Sequence, residues 1–281
     1  MTDLCLTEIA GRVLAHDLIR YLVGAGGVYL VINLALARSL AGRQIRDARP
    51  GWRQMRREFV ISLRTVLIFA AHGTVISWGA MSGFLPVYDQ VAAGPFGDGP
   101  GQGWPWLVMS TLVVILAHDA WFYWLHRLLH HRGVFRRAHS LHHRSHNPTP
   151  FTSYAFDGAE AAGQAIFLPL FVLLVPMHPI ALLIFVVHMM LRNAIGHCGY
   201  ELFPARADGR PLFGWLTTVT HHDLHHAHGQ YNFGLYFIWW DRWMGTEWPG
   251  YEQAFRQAVG RADELTAPAI VSADVRPPQH F

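Results

Sequence analysis

Four long stretches of this chain carry almost no charge, and they constrain its fold more than any other feature. The first runs from Tyr21 to Ala37, between Arg20 and Arg38. The second runs from Thr65 to Tyr88, between Arg64 and Asp89. The third runs from Gly99 to His118, between Asp98 and Asp119, and its apolar part continues through Trp121-Phe122-Tyr123-Trp124. A helix that crosses a bilayer needs roughly 20 mostly apolar residues. The second and third runs reach that length. The first falls a little short and qualifies with tilt or with help from its flanks. The fourth, Ala161 to Leu191, has no Asp, Glu or Arg, and is too long for one span and short for two. Pro176-Met177-His178-Pro179 breaks it near the middle, since proline cannot continue a helix through such a turn. It reads as a helical hairpin, 160–175 and 180–196, that dips into the bilayer or just crosses it. The expected fold class is therefore all-α: a polytopic membrane protein of about three transmembrane helices plus a helical hairpin.

Composition supports this and closes other routes. Only 15% of the 281 residues are charged, against roughly 25% in typical globular chains. The chain has too much apolar surface to stay disordered, and its two cysteines, Cys5 and Cys198, exclude a disulfide framework. The net charge of +3 comes from arginines clustered in loops, without a basic face interleaved with exposed aromatics, so no nucleic-acid partner is expected. Met1 to Ala10 holds Asp3 and Glu8 and no basic residue, which is unlike a secretory signal.

Arginine placement orients the spans. Residues 38–58 contain seven Arg, 126–146 contain five, and 85–103 contain none. Positive-inside bias puts the first two segments in the cytoplasm and the third outside, with the N-terminus outside. A hairpin that returns to its starting side leaves the chain after Gly196 cytoplasmic. The expected setting is an integral, multi-pass protein of a bacterial inner membrane. We divide it into an N-terminal transmembrane region, 1–117, a catalytic region, 118–250, and a C-terminal tail, 251–281, loose from about Ala262.

Histidine is the anomalous residue: there are 19, as many as Asp and Glu together. Most fall in four places. His126 and His130 are four apart, and so share one helical face. His139, His142 and His143 form H-x-x-H-H, and His222, His225 and His226 repeat that pattern in the C-terminal part of the chain. His197 stands alone after the hairpin. A single histidine is usually a satisfied core or surface residue. A helix presenting three imidazoles on one face has little structural reason to exist, because buried imidazoles each need a partner. A metal ion removes that cost. The topology puts all four groups at one membrane face. Nine histidines are too many for one ion, and two ions with four or five ligands each fit better. Imidazole suits Zn, Cu, Fe and Ni alike. H-E-x-x-H is absent, since Arg127 and His222 follow His126 and His221. The Glu-x-x-His of soluble di-iron bundles is absent too.

These motifs resemble the fatty acid hydroxylase and sterol desaturase superfamily of membrane di-iron oxygenases. Phe122-Tyr123-Trp124-Leu125-His126-Arg127 is similar to its first box. His139-Ser140-Leu141-His142-His143, continuing to Asn147-Pro148, is similar to its second. His225-His226, followed by Tyr231-Asn232-Phe233-Gly234 and Trp240-Asp241-Arg242, is similar to its third box and the tail after it. The resemblance covers roughly 118–246. It implies two iron ions, O2 as co-substrate, a lipid substrate that is hydroxylated or desaturated at a C–H bond, and electrons from a separate donor. Carried over position by position, it implies His126, His130, His139, His142, His143, His197, His222, His225 and His226 as ligands. Some members pair histidines on the hairpin where this chain has Asn193 and His197, so Asn193 is read as binding iron through a water or as capping the helix.

Other residues have two readings each. His118 is an extra ligand, or lines a channel with Asp119. Asp119 and Asp223 orient ligating imidazoles, or Asp223 is simply solvated. His146, His221 and His228 support the ligands or sit at the surface. His188 is a functional group at membrane depth or a neutral core residue, and His16, His72, His178 and His280 are structural. The rival functions are a membrane metal transporter, which would place ligands within the spans, and a zinc-dependent membrane hydrolase, for which Asp223 is the one acid inside a box. The chain has no G-x-G-x-x-G opening a βαβ unit and no C-x-x-C-H. The donor is therefore expected to be a ferredoxin or a cytochrome b5-like protein, steered to the surface around Arg132, Arg136 and Arg137.

Overall fold

Helices occupy every apolar run in the computed structural model, which describes residues 5–96 and 103–260. Four are long and apolar enough to cross a membrane: α1 (Leu6–Ala35), α2 (Trp52–Met81), α3 (Gly103–Leu129) and α7 (Pro179–Gly196). Helix α1 begins well before the uncharged run at Tyr21. Asp17 and Arg20, one turn apart, pair at 2.9 Å, so both charges enter the helix neutralised. From Leu22 its turns widen to π-helical form. The expected hairpin is present, as α5 (Gly158–Ala165), α6 (Phe167–Leu174) and α7. Its second arm is by itself long enough to span, which makes four candidate spans rather than three. Pro179 opens α7 at a position where its missing N–H costs nothing, and the His178 side chain accepts from Ile180 N.

The bundle has distinct ends. At one end the loop after α2 binds the hairpin tip. Tyr88 N donates to Met177 O, Met177 N to Pro86 O, and Trp106 Nε1 to Pro176 O. At the other end the segment after α1 is tied to the second half of the chain. Arg43 donates to the carbonyls of Glu201 and Phe203, and Arg57 to that of Arg144. The two arginine-rich segments thus meet at one end. The short helices α4 (Arg132–Ala138), α8 (Val219–His228), α9 (Trp239–Trp243) and α10 (Tyr251–Ala258) gather there. α10 buries Tyr251 and Phe255 against Ile238, so packed structure continues past residue 250. The loose tail expected from Ala262, and His280 within it, lie outside the described residues.

Between the spans Val114, Phe167, Phe171, Met177 and Phe185 form a buried core. Outside, Leu67, Val75, Leu112, Leu116 and Leu183 are exposed. Apolar exposure on this scale is unstable in water and suits lipid. Helices α1 and α7 touch most closely at Gly24, where a Cβ would lie 2.5 Å from Met190 Cγ. Met190 is fully buried within a packed core cluster. Gly24→Leu should therefore cost about 1–3 kcal/mol by overpacking, measured as a lower midpoint of thermal unfolding in detergent, with Gly26→Leu, where the space is open, as the milder control.

Candidate metal centre

The third span delivers the first histidines. His126 lies in the last turn of α3, and His130 N still donates to His126 O just beyond its end. His139 is the residue after α4, and His142–Arg144 is a single 3-10 turn. The second box is therefore not one helical face, as its spacing implied. Chain reversal after α4 turns its imidazoles in different directions. The third box does lie on one helix, α8, started by Thr218 Oγ1 accepting from His221 N and ended by Gly229 at φ 62°. At 3.6 residues per turn, His225 is roughly 100° round from His226, so this box also points two ways.

The result is two groups. His126, His130, His139, His143 and His225 bring one ring nitrogen each within 4.8 Å of all the others, and His142, His197, His222 and His226 do the same. Both H-x-x-H-H boxes are split between the groups. His139, His143 and His225 join the first, and His142, His222 and His226 the second. The eight histidines singled out by spacing and the lone His197 are thus brought together, five and four.

Hydrogen bonds fix the tautomers. His126 Nδ1 bonds Phe233 O at 2.9 Å, His225 Nδ1 bonds Tyr231 O at 2.7 Å, and His197 Nδ1 bonds Asn193 O at 2.7 Å. A carbonyl only accepts, so Nδ1 holds the proton and Nε2 presents a lone pair. Those Nε2 atoms face other imidazole nitrogens. His126 meets His139 at 3.1 Å, and His225 meets His143 at 3.1 Å. His197 meets His222 at 2.9 Å and His226 at 3.1 Å. Lone pairs this close repel unless a proton or cation lies between them. Protons are unfavourable here. Burial, and then the neighbouring histidines, hold His130, His139, His142, His143, His222, His225 and His226 well below the usual imidazole range. Burial pushes His197 down to about 4. A buried, neutral, all-nitrogen donor set fits a divalent transition metal in each group.

The ligand loops hang on carboxylates that spacing did not reveal. Asp241 accepts from Phe233 N, Gly234 N and Thr246 Oγ1, which positions the Phe233 carbonyl behind His126. Asn232, at φ 60°, donates to His221 O and accepts from Trp248 N. Glu201 accepts from Thr220 N and Phe203 N at the start of α8. A Glu160 carboxylate oxygen lies 2.8 Å from His139 Nδ1. Glu160 had a signal in the sequence: it is the lone acid that opens the longest uncharged run. Glu201 had none.

The remaining candidates fall outside the two groups. His118 Nδ1 is 3.0 Å from Tyr236 Oη, and its ring lies among Phe122, Phe167 and Phe185. Asp119 orients no ligand. It accepts from Tyr236 N, Phe237 N and Trp239 Nε1, pinning the segment before α9 to α3. The Asn193 side chain donates to Ser153 O, and its backbone carbonyl is what orients His197. Asp223 is neither solvated nor an orienting group, because Arg46 binds it at 2.8 and 3.0 Å. His221 is fully buried with Nε2 3.7 Å from Asp241 Oδ2. His188 packs on Tyr236, and His146 and His228 are exposed, His228 stacked on Trp248.

Residues 111–246 match the fatty acid hydroxylase family. Among curated proteins, the chain is 30% identical over 193 residues to a mouse lathosterol oxidase, covering 69% of this chain and 61% of that protein. It is 31% identical over 144 residues to a Delta(7)-sterol 5(6)-desaturase of Gibberella zeae, covering 51% and 43%. It is 28% identical over 202 residues to a rat cholesterol 25-hydroxylase, covering 71% and 63%. Each alignment spans less than two thirds of the relative's length. No solved structure matches the chain.

The neutral histidines make a pH prediction. A base whose folded pKa lies below its unfolded value takes up a proton only on unfolding. The stability this gives is fully present above about 6.5 and is lost as pH falls toward the folded values, about 4 for His197. Each such histidine contributes up to about 1.4 kcal/mol per pH unit in that window. Chelator-treated protein should therefore unfold at steadily lower temperature between about pH 6.5 and 5, and be nearly unchanged from about pH 7 to 8. A midpoint that stays level down to pH 5 would contradict the assignment of buried neutral imidazoles.

Proposed function

The chain belongs to the fatty acid hydroxylase and sterol desaturase superfamily, and from that membership we propose that it is a multi-pass membrane oxidoreductase. It hydroxylates a C–H bond of a lipid, or desaturates the lipid by taking one hydrogen from each of two adjacent carbons, using O2, two electrons from a donor and two iron ions. The observation that carries this reading is the pair of imidazole groups whose Nε2 lone pairs converge at one end of a lipid-facing bundle.

His126, His130, His139, His143 and His225 would hold one iron, and His142, His197, His222 and His226 the other. Bound there, iron would supply the redox chemistry for using O2 on an unactivated carbon, and the chain supplies position and exclusion of water. The carbonyls of Asn193, Tyr231 and Phe233 keep three ligands in the tautomer that leaves Nε2 free. Phe122 and Phe233 pack against His126 and keep that side of the site apolar. Residues 118–250 are the catalytic region, and 1–117 supply membrane helices around it. The substrate class follows the relatives, whose names specify sterols. Electrons come from a separate ferredoxin or cytochrome b5-like carrier, which meets the surface around Arg132, Arg136 and Arg137.

Two rival readings fit less well. A transporter places its ligands at mid-membrane, whereas these begin in the last turn of α3 and continue beyond it. A zinc hydrolase needs a free carboxylate base, and Asp223 is held by Arg46. Gain of one oxygen atom in a cellular lipid on expression would identify hydroxylation, and loss of two hydrogens desaturation.

His142→Ala and His225→Ala remove a ligand from different groups. Each should lower bound iron from two ions per chain toward one and abolish lipid turnover, measured by metal analysis and oxygen uptake. Full iron content with lost turnover would overturn the ligand assignment.

The metal end faces the cytoplasm of a bacterial inner membrane, by its arginine content. Reporter fusions after Ala93 should read outside, and fusions after Arg144 and Gly250 inside. An outside signal at Gly250 would contradict this sidedness.

A further inference from the structure

On the membrane side of the histidine groups, the spans and hairpin line a partly open cavity of about 100 Å³. Its walls are largely apolar, with Phe69, Phe167 and Phe185 among them. It also contains polar groups that no function described above uses. Gln164 on α5 is 9% exposed, and among the described residues neither Nε2 nor Oε1 has a hydrogen-bond partner. Buried polar atoms are ordinarily satisfied, so an amide left open in a cavity wall marks where a ligand's polar group belongs. His72 reaches the same cavity; its Nδ1 bonds Ile68 O, which leaves Nε2 as a second acceptor. Asp17 and Arg20, also in the wall, neutralise one another at 2.9 Å.

The complement to this wall is specific. The Gln164 amide offers donors and an acceptor, His72 offers an acceptor, and the paired Asp17 and Arg20 leave no net charge for an anion to neutralise. A hydroxyl, which donates and accepts and carries no charge, satisfies all of these. A carboxylate would enter without an unpaired cation to meet it. Hydrocarbon suits the aromatic walls. We propose that this cavity binds the hydroxyl end of an uncharged lipid alcohol, with Gln164 as the residue that selects for the hydroxyl.

Position gives the cavity a further consequence, which rests on the oxygenase reading above. Gln164 is one helical turn from Glu160, whose carboxylate touches His139, and His118 in the cavity wall is two turns from His126. At 1.5 Å per residue these are separations of about 6 and 12 Å along the helices. An alcohol anchored at Gln164 and extending toward the metal end would bring there a carbon several bonds from its hydroxyl, not the adjacent one.

The test is equilibrium binding to purified protein in phosphatidylcholine nanodiscs. The probes are cholesterol against cholest-5-ene, and hexadecanol against hexadecane and palmitate. At least one alcohol should bind roughly tenfold more tightly than its matched hydrocarbon, the scale expected for one or two net hydrogen bonds. Gln164→Leu should bring that ratio close to one without weakening hydrocarbon binding. Its thermal midpoint should not fall, since an unpartnered amide is being removed; Gln164→Met serves if the leucine variant misfolds. Equal binding of alcohol and hydrocarbon, an unchanged ratio in the variants, or a preference for palmitate would overturn the proposal. Iron content and oxygen uptake, measured on the same samples, separate it from the oxygenase reading. A Gln164-dependent alcohol preference without iron-dependent oxygen uptake leaves the site standing and removes the oxygenase, and the converse removes only the site.

Discussion

Buried imidazoles crowded side by side cannot each take up a second proton, and the rest of the site follows from that constraint. Burial and mutual repulsion keep the ring nitrogens neutral. In His126, His197 and His225 the one remaining proton is drawn to Nδ1 by a backbone carbonyl, so Nε2 turns an unshared lone pair inward. With nitrogens 2.9–3.1 Å apart, such an arrangement is stable only with a cation to share. The protein meets the cost of building it elsewhere, in the loop network of Asp241, Asn232 and Thr246 and in Glu201 beneath α8. These groups touch no neighbouring lone pair of the site. Asp241 holds the Phe233 segment, whose carbonyl orients the His126 ring, and Glu201 holds the start of α8.

The membrane bundle explains why the site stands where it does. Helix α3 is apolar until its last turns and ends in His126 and His130, and α7 ends just before His197. One end of the bundle is therefore the natural meeting place of ligands with the loops that carry both H-x-x-H-H boxes. Arginines fasten those loops down: Arg43 to the carbonyls of Glu201 and Phe203, Arg46 to Asp223, Arg57 to the Arg144 carbonyl. The arginine-rich segments thus also close the site. Within the bundle, the Gln164 cavity lies between the exposed lipid face and the histidines, where a hydrophobic molecule with one polar end fits.

Sequence alone made much of this legible. Uncharged runs identified the spans, because a membrane helix must be apolar over its whole length. The Pro176–Pro179 turn identified the hairpin, because proline removes the helix's next hydrogen bond. Four- and three-residue spacings identified eight of the nine grouped histidines, because imidazoles recurring in one pattern have few other uses; the ninth, His197, stands alone in the sequence and was named by the family resemblance. The start of α1 was hidden because Asp17 and Arg20 look like a boundary until their pairing is seen.

Tertiary structure alone decided the rest. Spacing could not say that each H-x-x-H-H box is divided between two groups, since that depends on the reversal after α4 and on the angle at which α8 meets His197. Nor could it say that Asp119 pins the Tyr236–Trp239 segment, or that the backbone of Asn193, not its side chain, serves His197. The physical reason is the same in each case. Which residues can bind a metal is a property of side-chain chemistry and local period, carried by the sequence itself. Which group each one joins, and which carbonyl orients it, depends on contacts between residues as far apart as His126 and Phe233, and these exist only once the chain has folded.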